Sequence, residues 1–257
     1  MEWRFRRPGS LFVHIRSFSN PSGPGLRPGG ETLPDEEAAT RGKLRMVPGL
    51  RDRLQGAGED SSARVERLER ALVRASRSQR PLASHRLEAL MRKDDCIAVI
   101  DQLGERIERN PAVNLDVIRP LARSIFLRTG HRGALKYATA LLGFCGDPED
   151  LPLYEAVGRH EEFTLYAAVA MANTLDDPID AWFRLAKLVT GWGKIGLVTR
   201  ICEQRPSRPD IRDWLLRHGC ENSIMNEYLG LIVAQGADLV GALRQPYPGD
   251  ELVRGAG

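Results

Sequence analysis

Glycines at three positions could form a phosphate-binding turn of the kind found in dinucleotide sites. They lie in the stretch 191–196, which reads G-W-G-K-I-G and so has the spacing G-x-G-x-x-G. In a dinucleotide site these glycines follow a strand and bring the N-terminus of a helix to a pyrophosphate. Residues 180–190, however, have the apolar spacing of a helix. The motif therefore predicts a turn between two helices, with Trp192 and Lys194 on a rim that could bind a partner.

Histidine and cysteine side chains near residue 220 could contribute to a zinc site. His218 and Cys220 lie close together, and Cys202 is a further candidate ligand. Zinc requires three or four ligands in a tetrahedral arrangement. Cys202 falls among the apolar positions of a predicted helix, and His218 lies at a helix end, where a cation interacts favourably with the helix dipole. Packing and capping therefore explain these residues, and no metal site is predicted.

Acidic side chains near helix starts could perform general acid/base chemistry if they converged in a cleft. The candidates are Glu161, Glu162, Asp176 and Asp177. Acids are favoured at helix N-termini in any case, because the helix dipole is positive there. The sequence contains no Walker loop and no G-x-S-x-G motif. It therefore predicts no catalytic residues and no cofactor.

The acids are better explained by a period of thirty residues along the chain. Asp150, Asp180 and Asp210 each end a similar stretch, which reads D-P-E-D, D-P-I-D and S-R-P-D in turn. An oxygen-bearing side chain, a proline and an acid in this order are typical of a helix start. A helix start that recurs at a fixed period indicates a repeat protein.

Apolar residues follow the same period and predict two helices in each repeat. The positions 165, 168, 171 and 172 form one helix face, and the same face recurs one period later. Second helices are predicted over 132–144, 162–174, 192–204 and 222–235, and a first helix over 114–129, where Pro120 fits poorly. The predicted fold class is all-α, an α-α superhelix of helical-hairpin repeats.

One column of the repeat contains both aromatic and charged residues. Tyr154, Arg184 and Trp214 occupy equivalent positions in three successive repeats. A column that includes arginine is not fully buried, and Tyr, Trp and Arg are the preferred anchors of protein interfaces. These three residues, with Trp192 and Lys194, are the predicted partner-binding residues.

Composition divides the chain into four parts. Residues 1–60 are rich in Pro and Gly without apolar periodicity, which predicts a disordered tail. Residues 61–113 predict a helical cap, 114–244 the solenoid with about four helix pairs, and 245–257 a frayed tail. No apolar stretch approaches the length of a membrane span. The four cysteines lack C-x-x-C spacing, which favours reduced thiols in the cytoplasm.

Charge gives little support to nucleic-acid binding. Residues 114–244 contain 15 Lys and Arg against 16 Asp and Glu, so the repeats are near neutral. The last repeats are nevertheless dense in arginine, and a basic stripe is what a nucleic acid requires. Nucleic-acid binding through these arginines remains an alternative; they are Arg200, Arg205, Arg208, Arg212 and Arg217.

The Asp-Pro turns at 147–148 and 177–178, with the helix pairs after them, resemble the HEAT and armadillo-like α-solenoids. The resemblance covers 114–244 and implies a scaffold that binds other proteins. The motifs G-W-G-K, D-W-L-L-R and N-E-Y-L, at 191–194, 213–217 and 226–229, are also similar to a group of bacterial proteins, some labelled limonene hydroxylase. That label implies a flavin, haem or iron site, for which the sequence shows no motif.

The sequence therefore predicts a cytoplasmic scaffold that presents a helix face to an unidentified protein or peptide. An enzyme of hydroxylase type that acts on a small molecule is the first alternative. Nucleic-acid binding is the second. Neither membrane association nor a cofactor is expected.

Overall fold

The computed structural model describes residues 9–36, 61–77, 81–92, 96–224 and 226–244. Every named element in these ranges is helical, which confirms the all-α prediction. The helices are α1 (Leu11–Phe18), α2 (Ser61–Arg77), α3 (Pro81–Met91), α4 (Ile100–Arg109), α5 (Leu115–Arg128), α6 (Arg132–Cys145), α7 (Leu151–Gly158), α8 (Glu161–Thr174), α9 (Ile179–Ala186), α10 (Gly191–Glu203), α11 (Pro209–His218), α12 (Glu227–Gly236) and α13 (Leu239–Leu243).

From α5 onward the helices form antiparallel pairs. Each first helix packs on the second helix that follows it, as in α5 with α6, α7 with α8, and α9 with α10. The second helices also pack on one another in chain order, α6 on α8, α8 on α10, and α10 on α12. Helices α2, α3 and α4 lie in the region predicted as a cap and contact α5 and α6.

The predicted helix starts form the expected capping bonds at two of the three positions. The Asp147 carboxylate accepts a hydrogen bond from the Glu149 N–H at 2.9 Å, and that of Asp177 accepts from Ile179 at 3.0 Å. These bonds satisfy N–H groups that have no partner within the helix. Helix α11 begins without a side-chain cap.

The three periodic aspartates differ in their surroundings. Asp150 is fully buried, and its two oxygens accept from Arg119 at 2.9 Å and Arg123 at 2.6 Å on α5. Asp180 and Asp210 are exposed and share the guanidinium of Arg208. The acids therefore link neighbouring helix pairs through arginine, in addition to any effect on the helix dipole.

The prediction of a disordered tail over 1–60 is wrong for residues 9–36, which are ordered against the helices. Helix α1 buries Leu11, Phe12 and Ile15 against α5 and α7, and the Phe12 ring lies 5.3 Å from that of Phe126. Burial of this apolar face outweighs the chain entropy that Pro and Gly would otherwise favour. Residues 1–8, 37–60 and 245–257, which complete the two predicted tails, lie outside the described residues.

The remainder of this segment runs along the turns between paired helices. The Leu11 N–H donates to the Thr129 carbonyl at 3.0 Å, and the Gly25 N–H donates to the Leu188 carbonyl at 3.0 Å. The chain then returns, and Arg132 donates to the Asp35 carboxylate through its backbone N–H at 2.7 Å. The Arg159 side chain, in the turn between α7 and α8, donates to the Asn20 carbonyl at 3.2 Å. Residues 9–36 thus join the turns of three successive helix pairs. None of the described helices is both long and apolar enough to cross a membrane.

Candidate binding surfaces

The predicted column of Tyr154, Arg184 and Trp214 does not form one exposed surface. Tyr154 is fully buried, so its ring is unavailable to a partner. Arg184 is exposed and lies 3.6 Å from the Glu155 carboxylate. Trp214 is half-buried and packs edge-on against Phe183 with ring centres 5.3 Å apart. Only Arg184 retains the exposure expected of a binding residue.

Lys194 and Trp192 also join helices to one another. Lys194 is buried, its Nζ donates to the His218 carbonyl at 2.9 Å, and it lies 5.2 Å from the centre of the Trp214 ring. Burial lowers the pKa of Lys194. The half-buried Trp192 ring packs against Tyr228 at 5.9 Å. Lys194 therefore fixes the end of α11 on α10 and is not free to bind a partner on a rim.

The G-x-G-x-x-G stretch begins α10, as the period predicts. The Glu161 carboxylate accepts a hydrogen bond from the Trp192 N–H at 3.0 Å, and the Asn222 side chain accepts from the Gly191 N–H at 2.6 Å. Gly191 has φ +63°, which favours glycine. The crevice between Glu161 and Gly193 holds about 10 Å³, roughly one water. A carboxylate of the protein itself therefore occupies the position that a pyrophosphate would take.

The candidate zinc ligands are also explained by their neighbours. His218 Nδ1 lies 3.2 Å from the Glu221 carboxylate, and burial raises the pKa of the Cys202 thiol to about 12. Within the described ranges, no group of three or more His, Cys, Asp or Glu side chains could hold a metal ion.

Three of the five arginines between residues 200 and 217 are paired with acids. Arg212 lies 3.2 Å from Asp238, and Arg217 lies 2.7 Å from Asp213. Arg208 binds Asp180 and Asp210, as described above. These contacts are the solvated ion pairs that dense charges usually form on a helical surface.

A groove of about 680 Å³ lies between α4 and the second helices α6 and α8, with Arg200 of α10 at its edge. Apolar side chains form its floor, and acidic side chains of α4 form one wall. Gly143 on α6 allows close packing beneath it, since a Cβ there would lie 2.8 Å from the Ala170 Cα of α8. The lining of the groove includes Asp101, Glu105, Glu108, Phe144, Leu165, Val169 and Arg200.

Sequence reasoning predicted a helix face for binding but missed these groove residues. The apolar spacing at 165, 168, 171 and 172 indicated a buried face on α8. Val169 lies outside that face and is 42% exposed. An apolar residue outside the buried face of its helix, such as Val169, was the available sequence signal for a binding surface. The position of α4 opposite Val169 could not be predicted, because it depends on contacts between residues distant in sequence.

Comparison with protein-family models, curated proteins and solved structures finds no match to this chain. The resemblances to HEAT and armadillo-like proteins and to proteins labelled limonene hydroxylase therefore stay predictions.

Proposed function

We propose that this protein is a helical-repeat scaffold that binds a peptide segment of another protein in the groove beside α4. The observation that carries the proposal is an apolar floor across the second helices α6 and α8, bordered by acids on the separate helix α4. α-Solenoids commonly bind partners along the row of their second helices. The packing of α6, α8, α10 and α12 in chain order supports this architecture.

The floor favours an apolar ligand surface. Val169 is 42% exposed, and Phe144 and Leu165 are half-buried at the surface of α6 and α8. When a ligand covers such side chains, the burial of apolar surface contributes roughly 25 cal/mol to the binding free energy for each Å² removed from water. An amphipathic helix whose apolar face lies on these residues would use this surface in full.

The acidic wall that α4 forms along the groove favours a positively charged partner. Asp101, Glu105 and Glu108 follow one another at spacings of four and three, so they lie along one face of α4. All three are exposed, and Glu105 forms a solvent-exposed pair with Arg109 at 3.4 Å. The partner is therefore an amphipathic helix with Lys or Arg along the edge that meets α4. Arg200, which also lines the groove, favours an acid elsewhere on that helix.

A selection of displayed peptides against the full chain tests this proposal. We expect enriched sequences with apolar residues at i, i+3 or i+4, and i+7, and basic residues beside them. Val169→Asp should weaken their binding by about tenfold or more, because it places a carboxylate on the apolar floor. Asp101→Asn with Glu108→Gln should weaken it less and reduce its salt dependence.

Val13→Asp is the matched control, because Val13 is 60% exposed on α1 and lies outside the groove. The proposal fails if no such peptides are enriched, or if the enriched peptides bind Val169→Asp as well as they bind the unmodified protein.

The proposal assigns the protein to the cytoplasm. The free thiols of Cys96 and Cys202 are buried, and such thiols persist in a reducing compartment. Recovery of the protein in the soluble cytoplasmic fraction after cell fractionation would agree with this assignment.

A further inference from the structure

Four arginines line one surface cavity that the proposed peptide groove does not use. The cavity measures about 630 Å³, and α1, the chain after it, α7 and α9 surround it. Its residues come from α7, α9 and the N-terminal segment, none of which lines the groove. The arginines are Arg16, Arg27, Arg159 and Arg184.

Glu155 is the one acid among the described residues that line this cavity. It lies 3.6 Å from Arg184 Nε, and the two side chains are 35% and 55% exposed. A pair this long and this exposed contributes little binding energy. Arg16 lies over the Phe12 ring, 5.7 Å from its centre, which holds the guanidinium without neutralising it.

The other two guanidinium groups form hydrogen bonds to neutral carbonyls. Arg159 Nη1 donates to the Asn20 carbonyl at 3.2 Å, and Arg27 donates to the Ser17 carbonyl. Each bond uses one of the five donors of an arginine and fixes the direction of the side chain. Four arginines against one glutamate leave a formal charge of +3 around the cavity.

This arrangement differs from the arginines of the last repeats. Arg208, Arg212 and Arg217 each contact at least one aspartate within 3.2 Å. The arginines around the cavity contact mainly carbonyls and a ring. Their positive charge is therefore available to a ligand.

We propose that this cavity binds the multiply charged phosphate group of a small molecule. Guanidinium groups bind phosphate oxygens through paired hydrogen bonds, and several converging arginines favour more than one phosphate. A volume of about 630 Å³ lies within the range of small-molecule sites, roughly 300 to 1,000 Å³. Leu151, Pro152 and Ala156 provide an apolar floor for the uncharged part of the molecule.

Titration calorimetry of the full chain with inorganic pyrophosphate at low ionic strength tests the site. Arg16→Gln with Arg184→Gln should lower the affinity by about tenfold or more, because each replacement removes a charged hydrogen-bond donor. Arg184 and Arg16 are exposed, so the double variant should fold, as its circular dichroism spectrum and melting curve can verify. Arg184→Lys should lose part of the affinity, since lysine keeps the charge but not the planar donor pair.

Arg74→Gln with Arg217→Gln is the matched control, because it removes the same charge from α2 and α11, away from the cavity. Pyrophosphate affinity should remain unchanged in this control. The proposal is overturned if the unmodified protein does not bind pyrophosphate. It is equally overturned if both double variants lose the same affinity, since net charge alone would then explain the binding.

Discussion

His160 joins α8 to the N-terminal segment as a neutral imidazole. Its Nδ1 accepts a hydrogen bond from the Glu162 N–H at 3.1 Å, so the ring proton lies on Nε2, which donates to the Glu31 carbonyl at 3.2 Å. A protonated ring would direct a second donor at the Glu162 N–H. Burial lowers the pKa of His160 to about 4, despite the attraction of the Glu162 carboxylate. The fold therefore selects both the charge and the tautomer of this side chain.

Protonation of His160 predicts a loss of stability in mild acid. The unfolded chain takes up the proton near pH 6.5, whereas the folded protein takes it up only near pH 4. This contribution to stability is therefore complete above pH 6.5 and is lost as the pH falls towards 4, by about 3 kcal/mol in total. Denaturant unfolding at a series of pH values measures it.

His160→Asn is the control for this prediction, because asparagine keeps the capping acceptor but does not titrate. Between pH 6.5 and 4 the variant should lose about 3 kcal/mol less of its free energy of unfolding than the unmodified protein. Equal slopes for the two proteins between pH 6.5 and 4 would contradict the assignment. Comparison of the two slopes also removes the contribution of neighbours such as Glu161, whose pKa is raised by burial.

Individual side-chain environments were harder to predict than the helices. The three positions of the shared column keep the same register, since each lies seven residues after the first residue of its helix-start stretch. Even so, Tyr154 is fully buried, Arg184 is exposed and Trp214 is half-buried. The difference lies in the neighbours of each helix: α7 packs on α1 as well as on α8, whereas Trp214 of α11 packs on Phe183 of α9.

At the scale of elements, α1 is where the sequence-based prediction and the structure differ most, because a disordered tail was predicted and a packed helix is found. Apolar periodicity predicted three second helices closely: 132–144 against Arg132–Cys145, 162–174 against Glu161–Thr174, and 192–204 against Gly191–Glu203. The fourth, predicted over 222–235, begins only at Glu227. Helix α5 continues through Pro120, at the sixth helical position, although the proline fits the repeat poorly. The docking of α1 depends on contacts more than one hundred residues away, and local composition contains no signal for it.

Paired substitutions on α1 test whether the segment is docked. Ile15 is fully buried, and Val13 on the same helix is 60% exposed. Ile15→Asp should lower the free energy of unfolding by about 3 kcal/mol or more, because it removes apolar burial and introduces a buried carboxylate. Val13→Asp should change it by less than about 0.5 kcal/mol. Chemical denaturation measures both, and equal stabilities of the two variants would mean that α1 is not packed on α5 and α7.

At the scale of the whole molecule, burial is high in α6, α8 and α10, which bury ten, eight and nine residues, and falls sharply at α12. Helix α6 buries ten consecutive residues, Ala134 to Gly143, because α5, α8, α3 and α4 all pack against it. Helix α12 buries only Leu229 and Val233, and α13 buries none of its residues. The described N-terminal segment, residues 9–36, adds a second constraint to the turns before α6, α8 and α10. Apolar burial and the contacts of residues 9–36 therefore stabilise the same part of the molecule.

Native-state hydrogen exchange should reveal this gradient. Backbone amides of α6 and α8 should open only with global unfolding, whereas those of α12 and α13 should exchange at least about a hundredfold faster, equivalent to roughly 3 kcal/mol in opening free energy. Exchange of α10 should fall between them, because it packs on α8 on one side and on the less buried α12 on the other. In a repeat array each unit is stabilised mainly by its neighbours, so local opening at one end does not require the core to open. Uniform protection from α6 to α13 would instead show a single cooperative unit and would remove this support for a repeat architecture.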